Sequence, residues 1–216
     1  ESISQAKQRN GAKANAQQAR EALRTFALRN KRLPCPDPSA QGDTAREPSG
    51  TCGSDVGWLP YESLGLDTPV RGQRLRYAVY RGPAGAGLVA PARGGTDSPD
   101  LEGSNGLIAA LASAARATPS KSQPYYVNGQ GDLLPACDPA GAGTALVNPA
   151  FAVIAPASNI GASADAMAGF EAPNRTFSAA SRCFGAPDNT ANANYDDVVV
   201  VEGLTSMLGW AMSTTR

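Results

Sequence analysis

The chain has 216 residues, 42% of them hydrophobic, which is enough for one domain with a hydrophobic core. Basic and acidic side chains balance at 19 each and histidine is absent, so nucleophile systems that need histidine are excluded and a zinc site is disfavoured. An apolar run of roughly 20 residues, the length that crosses a bilayer, does not occur in this sequence.

The zero net charge hides an uneven distribution. Residues 1–32 carry eight basic and two acidic side chains, whereas residues 33–216 carry 11 basic and 17 acidic ones. A basic helix attached to an acidic body is consistent with head-to-tail packing between copies, and a solvated helix face explains the pattern equally well. No aromatic platform accompanies the basic residues, so we expect no nucleic-acid binding.

A long helix is predicted over residues 1–33, because this segment is rich in Ala, Gln, Lys and Arg. The apolar residues form one stripe at helical spacing, made of Ala12, Ala16, Ala19, Leu23 and Phe26. The stripe is strongest near its C-terminal end, so we expect the second half of the helix to pack on a body and the first half to be exposed. The pair Leu33-Pro34 ends the helix.

The remaining sequence, 34–216, predicts a head of short elements joined by loops. Alternating or apolar runs predict strands at 74–80, 150–155 and 198–201, and a hairpin that joins 125–127 to 133–134. Apolar spacing predicts a helical turn at 63–66 and helices at 107–117 and 204–212, the last with Leu204, Leu208 and Met212 on one face. Segments rich in Gly and Pro predict long loops at 34–57, 82–104 and 157–194. This order predicts one α+β domain, with the helix laid across an antiparallel sheet.

Four cysteines, Cys35, Cys52, Cys137 and Cys183, are spaced too widely for a CxxC pair. An even count in a loop-rich chain favours two disulfides and an oxidising compartment, and four reduced, buried cysteines are the alternative. Three pairings are open. We favour Cys35–Cys52 with Cys137–Cys183, because each bond then closes one loop within one part of the chain.

Several short motifs, taken in order, resemble a group of minor type IV pilins and pseudopilins. After the helix the sequence continues with Leu33-Pro34-Cys35-Pro36-Asp37 and then with Gly57-Trp58-Leu59-Pro60. The later elements that resemble the group are Leu64-Gly65-Leu66, Arg76-Tyr77-Ala78-Val79, Asn148-Pro149-Ala150-Phe151 and Tyr195-Asp196-Asp197-Val198-Val199. The matches extend from about residue 10 to 210, and variable loops separate them.

The resemblance implies a pilin-like fold and a structural role as a minor pilin of a type IV pilus, acting through subunit assembly and adhesion. It also implies an apolar N-terminal segment, absent from this sequence, that would anchor the subunit in the inner membrane of a Gram-negative bacterium before it enters a cell-surface fibre. Other pilin subunits would then be the partners, through an assembly helix that includes Ala16, Ala19, Leu23 and Phe26. A type II secretion pseudopilin is an alternative, and a secreted glycan- or protein-binding domain is an alternative of another class.

No set of residues indicates catalysis or a bound cofactor, so we expect a protein that is not an enzyme. Asp196 and Asp197 are adjacent, and neighbours on a strand point to opposite faces, so a cap or turn role is the simpler interpretation. Since some pseudopilins bind Ca²⁺ in a C-terminal loop, the resemblance also raises a calcium site whose candidates are Asp188, Asn192, Asp196 and Asp197.

Overall fold

The computed structural model describes residues 3–39, 44–49, 52–82, 87–89, 106–129, 137–139, 141–157 and 165–214. Here the chain has an α+β fold, in which a long N-terminal helix lies on a four-stranded antiparallel sheet. The predicted fold class is confirmed at this level. The predicted division of a single domain into a helix, 1–33, and a head, 34–216, stays a prediction. Most of the predicted loop at 82–104 lies outside the described residues.

Helix α1 spans Ile3–Asn30, and its inward face follows the predicted stripe. The buried residues recur every three or four positions and are Ala12, Ala16, Ala19, Leu23, Phe26 and Ala27. The predicted end at residue 33 is wrong by three residues. Lys31 adopts a left-handed conformation with φ 59°, and its N–H donates to the Ala27 carbonyl at 2.8 Å, which closes the last turn.

Within the described residues, six strands follow in chain order: β1 (Val56–Trp58), β2 (Arg76–Val79), β3 (Tyr126–Asn128), β4 (Ala145–Val147), β5 (Phe151–Ala155) and β6 (Val198–Glu202). The main sheet has the order β1-β2-β5-β6 with every neighbour antiparallel. Strand β1 begins inside the predicted loop 34–57. Gly57 permits it, because a Cβ there would lie 2.5 Å from the Asp37 carbonyl oxygen, and the backbone of Asp37 pairs with Trp58.

Both faces of the main sheet are buried. Helix α1 covers one face, toward which alternate residues of three strands point, among them Tyr77, Val153 and Val200. The intervening residues, such as Ala78, Ile154 and Val199, point to the opposite face, where they pack against Phe170, Phe177 and Phe184 from the segment 165–184. The sheet is therefore the middle of three layers, and its third layer is mainly loop, with one short 3-10 helix at Asn174–Thr176.

Two helices and a small hairpin complete the head. Helices α2 (Leu107–Arg116) and α3 (Leu204–Ser213) pack against each other. The predicted helix is present, and of the three residues predicted on one face Leu204 and Leu208 pack partly buried on the core, whereas Met212 is 49% exposed. Its buried residues are Met207 and Ala211. Residues 61–65 form consecutive turns, in which the Leu64 N–H donates to the Pro60 carbonyl at 3.1 Å, so a single turn of helical type lies slightly before the predicted range 63–66.

Strand β3 pairs with β4, with Val127 opposite Leu146. The predicted hairpin partner of 125–127, Leu133-Leu134, lies outside the described residues, so that pairing stays a prediction.

Two disulfides, Cys35–Cys52 and Cys137–Cys183, brace the loops, as the favoured pairing predicts. They span 17 and 46 residues of sequence. Disulfides of this kind persist in oxidising surroundings, so they indicate an extracellular or periplasmic location. Among the described helices, none combines the length and apolar character that a bilayer span requires.

Candidate functional site: an acidic cluster and the anchor of helix α1

An acidic cluster forms where the segment 165–177 crosses the start of β6. Glu171 belongs to that segment, and Asp196 and Asp197 directly precede the strand. One carboxylate oxygen from each of the three residues lies within 4.8 Å of the other two. Glu171 and Asp196 are half-buried, and Asp197 is 2% exposed. Carboxylates that converge in this way repel one another unless a proton or a cation lies between them.

Backbone hydrogen bonds fix the relative positions of these carboxylates. The Glu171 N–H donates to Asp197 Oδ2 at 3.1 Å, and the Asp196 N–H donates to Glu171 Oε2 at 3.4 Å. Each segment therefore supplies an N–H to a carboxylate of the other, which joins residues that are far apart in the chain. Asp197 Oδ1 is fully buried and has no hydrogen-bond partner.

Asn174 is the fully buried centre of the polar network beside the cluster. Its amide nitrogen donates to Asp197 Oδ2 at 2.9 Å and to the Tyr195 hydroxyl at 3.1 Å. Its amide oxygen accepts from the Gly185 N–H at 2.7 Å. All three of these bonds use the planar amide, so Asn174 fixes the position of Asp197 Oδ2, the oxygen that also accepts from the Glu171 N–H.

The electrostatics of the cluster follow from its burial. Burial raises the pKa of Asp197 well above its usual range, and the neighbouring Glu171 carboxylate raises it further. Burial also raises the pKa of Tyr195, with a second contribution from the charge of Asp197. These shifts show that negative charge is disfavoured at this position.

Two of the four predicted calcium ligands, Asp196 and Asp197, belong to this cluster. Asp188 is not part of it, and Asn192 instead accepts the N–H of Asn194 through its side chain and bridges to Tyr195 through its backbone. The sequence analysis missed Glu171, which lies 25 positions before Asp196. No local motif marks it, because only the fold brings its segment to β6. Calcium binding itself stays a prediction.

A second feature, the anchor of α1, centres on Glu202 at the end of β6. Its carboxylate is fully buried and accepts from Arg20 Nε at 2.7 Å and from Arg24 Nε and Nη2 at 3.1 and 2.8 Å. Bonding to Glu202 raises the pKa of Arg24. The Arg24 guanidinium also lies 5.5 Å from the ring centroid of Trp210 in α3. Ion pairs to Glu202 therefore hold α1 to the sheet, and a cation–π contact joins it to α3.

The predicted assembly residues are buried within their own chain. Ala16, Ala19 and Leu23 are almost fully covered by the head, and Phe26 nearly so. They therefore present no surface to a partner. By contrast, no residue in 3–11 is buried, and Ile3 is 90% exposed.

A cleft of about 320 Å³ lies between α1 and the segment 59–75. Its floor is apolar, and its walls carry the amide side chains of Gln8, Asn15, Gln18 and Gln73. A cavity of this size suits a small ligand, and the amides would offer it both donors and acceptors.

Arg76 occupies the opposite face of the sheet. It is buried, lies 4.7 Å from the ring centroid of Trp58, and donates to the Phe177 carbonyl at 2.9 Å. Burial lowers its pKa to about 10. It thereby ties the segment 165–184 to the sheet through an aromatic ring and one hydrogen bond.

Comparison of this chain with protein-family models, with curated proteins and with solved structures finds no match.

Proposed function

We propose that this protein is a structural subunit, a minor pilin, of a type IV pilus or related fibre, and that it acts through assembly rather than catalysis. The observation that carries the proposal is the division of α1. Residues 3–11 contain no buried side chain, whereas the inward face from Ala12 to Ala27 is buried in the head. A helix displayed in this way offers exposed side chains to a neighbouring helix, while its second half fixes its direction.

The anchor supports this role. Subunits that assemble through a projecting helix need that helix to keep one orientation relative to the head. Arg20 and Arg24 hold α1 through the buried carboxylate of Glu202, in addition to the apolar stripe. The direction of the first turns is thereby set by contacts that lie about three to six turns further along the helix.

Charge supports contacts between copies. Lys7, Arg9 and Lys13 lie on the first four turns of α1, and the chain beyond residue 32 carries more acidic than basic side chains. The basic turns of one copy and the acidic head of another attract each other.

The loops at 37–57, 82–104 and 157–194 would supply adhesion or tip contacts. The proposal also includes an apolar anchor that precedes α1, insertion of the subunit in the inner membrane, and its export to the surface of a Gram-negative cell.

Mass spectrometry of the natural full-length protein, taken from membrane and sheared-fibre fractions, tests the processing. We expect a retained apolar segment that begins with a methylated Phe or Met. A mature N-terminus close to Glu1, with the protein free in the periplasm or medium, contradicts the pilin proposal.

A photo-crosslinking amino acid at Ser4 or Asn10, exposed on the free turns, tests the contact surface in cells. We expect crosslinks to a second pilin-like subunit from both positions. Thr25 is the matched control, because it is exposed on the anchored half of the same helix. Crosslinks from Thr25 with none from Ser4 or Asn10 would show that the free turns do not mediate assembly.

The alternatives differ in where the protein is found. A pseudopilin of type II secretion would give the same N-terminus but remain in the cell envelope, outside sheared surface fibres. The cleft beside α1 favours a second candidate, a secreted domain that binds a small glycan or peptide. Gln18→Ala together with Gln73→Ala would then abolish ligand binding and leave any fibre unaffected.

A further inference from the structure

The Asn128-Gly129 pair at the end of β3 places two groups that can react with each other side by side. The sequence contains three Asn-Gly pairs, and the structure describes those that begin at Asn10 and Asn128 in full. In such a pair, a bond from the glycine backbone nitrogen to the asparagine amide carbon Cγ closes a five-membered ring. Glycine has no Cβ that would hinder this approach. Asn128 and Gly129 are both exposed, so water reaches the pair.

A hydrogen bond already brings the two groups of this pair together. The Gly129 N–H donates to Asn128 Oδ1 at 2.9 Å. Oδ1 is bonded to Cγ at about 1.2 Å, so the Gly129 nitrogen lies no more than about 4.1 Å from Cγ. Reacting atoms in a near-attack geometry are about 3–3.5 Å apart. A small rotation of the exposed Asn128 side chain therefore suffices to bring Cγ to the nitrogen.

The fold also requires that residue 129 is glycine. Gly129 has φ 83°, a backbone conformation that favours glycine, and a Cβ there would lie 2.2 Å from the Gly143 carbonyl oxygen. A larger residue, which would slow the ring closure, does not fit at this position. The close approach of the chain before β4 thereby keeps the reactive pair in place.

The pair Asn10-Gly11 has the same sequence and is also exposed, but α1 holds it apart. In an α-helix the N–H of residue 11 is bonded to the carbonyl four positions earlier. The Asn10 side chain leans toward the N-terminus of the helix, away from the Gly11 nitrogen. The two pairs therefore share their chemistry and their exposure to water and differ in backbone geometry.

We propose that Asn128 is a site of spontaneous deamidation. The Gly129 nitrogen loses its proton to solvent and attacks Asn128 Cγ, which forms the N–Cγ bond of a succinimide ring, and the side-chain amide leaves as ammonia. Water then opens the ring at either of its two carbonyls. The products are aspartate and isoaspartate at position 128, and one water is consumed for each ammonia released. The proposal does not depend on a role in a pilus.

Either product changes the surface of the head. Aspartate adds a negative charge at the exposed end of β3. Isoaspartate adds the same charge and lengthens the main chain by one carbon, directly beside the pairing of Asn128 with Ala145. The reaction would therefore weaken the end of the β3–β4 pair and distinguish old molecules from newly made ones.

Peptide mass spectrometry of the folded protein, stored at about pH 8 so that more of the backbone nitrogen is deprotonated, tests the proposal. The reading at each site is the replacement of the amide NH₂ by OH, and labelling by an isoaspartyl methyltransferase identifies the isoaspartate. We expect Asn128 to convert at least about tenfold faster than Asn10. In urea with both disulfides reduced, the two sites should convert at similar rates, because the fold alone separates them.

Asn128→Gln is the test variant, because ring closure from glutamine needs a larger ring. Position 128 is exposed, so we expect this variant to keep the melting temperature of the natural protein and to lose the conversion at 128. Asn10→Gln is the matched control and should leave the conversion at Asn128 unchanged.

Two results would overturn the proposal. One is conversion at Asn128 in the folded protein that is no faster than at Asn10. The other is the same difference between the two sites in urea, which would show that neighbouring residues rather than the fold determine the rates.

Discussion

Replacing Arg24 by alanine tests how strongly the ion-pair anchor holds α1 to the sheet. The substitution removes two of the three hydrogen bonds to the Glu202 carboxylate, at 3.1 and 2.8 Å, and the contact with Trp210. Because Glu202 is fully buried, the carboxylate keeps only the bond from Arg20 at 2.7 Å.

The expected cost is about 2–3 kcal/mol. Breaking a buried ion pair by removing one partner costs about 3–5 kcal/mol. We place Arg24→Ala below that range because Arg20 stays bonded and because the Arg24 side chain is 20% exposed, so water reaches part of the site. For a domain of this size, that cost lowers the melting temperature by roughly 4–12 °C.

Urea denaturation followed by circular dichroism, applied to Arg24→Ala, Glu202→Gln and the double variant, measures the coupling between the two side chains. We expect a coupling energy of about 2 kcal/mol, since both residues belong to one network. Arg29→Ala is the control, because Arg29 is exposed on the same helix and should change stability by less than about 0.5 kcal/mol. Equal effects of Arg24→Ala and Arg29→Ala, with no coupling, would refute the anchor.

Three other outcomes follow from the fold. Leu23→Ala, at a fully buried position under the head, should cost about 3 kcal/mol in urea denaturation, and a loss below 1 kcal/mol would contradict the packing of α1. Loss of the Cys137–Cys183 bond should lower the melting temperature more than loss of the Cys35–Cys52 bond. The reason is that Cys137–Cys183 closes the longer loop, with a sequence separation of 46 residues against 17. A larger drop on loss of Cys35–Cys52 would count against the chain-entropy argument. Burial raises the pKa of Tyr61 to about 12 and that of Tyr77 further. Their neutral phenols therefore stabilise the fold below about pH 10, and this contribution is lost as the pH rises toward 12 and beyond. Absorbance at 295 nm should accordingly show both residues ionising only as the protein unfolds, and normal titration near pH 10 would contradict their burial.

The core of the fold follows from patterns within single segments. The stripe of α1 is readable from residues 12–26 because helical spacing and burial coincide there. Strand β5 is apolar throughout and β6 is apolar up to Glu202, as strands covered on both faces are. Their local pattern is therefore enough to identify them.

Other features depend on partners that local sequence does not reveal. The apolar side chains of α3 lie around most of the helix, among them Met207, Leu208, Ala211 and Met212. Packing against α2 therefore decides that Met207 and Ala211 face inward. Val127 of β3 pairs with Leu146 of β4, 19 positions along the chain, and no local pattern marks β4 as its partner. Only the tertiary fold selects between such registers.

Some residues of the candidate site are likewise marked by a local sequence pattern, and others are not. Asp196 and Asp197 are visible as an acidic pair before a strand, whereas Glu171 is a single acidic residue with no neighbouring signal. Glu202 is similar: it ends an apolar strand, and nothing in its own segment shows that two arginines of α1 meet it. Contacts between charged residues that are far apart in sequence could therefore be identified only from the three-dimensional structure.

The chain's two tryptophans lie on opposite sides of the sheet, which makes each an optical reporter of one layer. Trp210 is beside Arg24 on the helix side, and Trp58 is beside Arg76 and Phe170 on the loop side. In Trp58→Phe the remaining emission would follow detachment of α1, and in Trp210→Phe it would follow opening of the segment 165–184. Comparing the two traces during unfolding would show whether the layers separate together or in sequence.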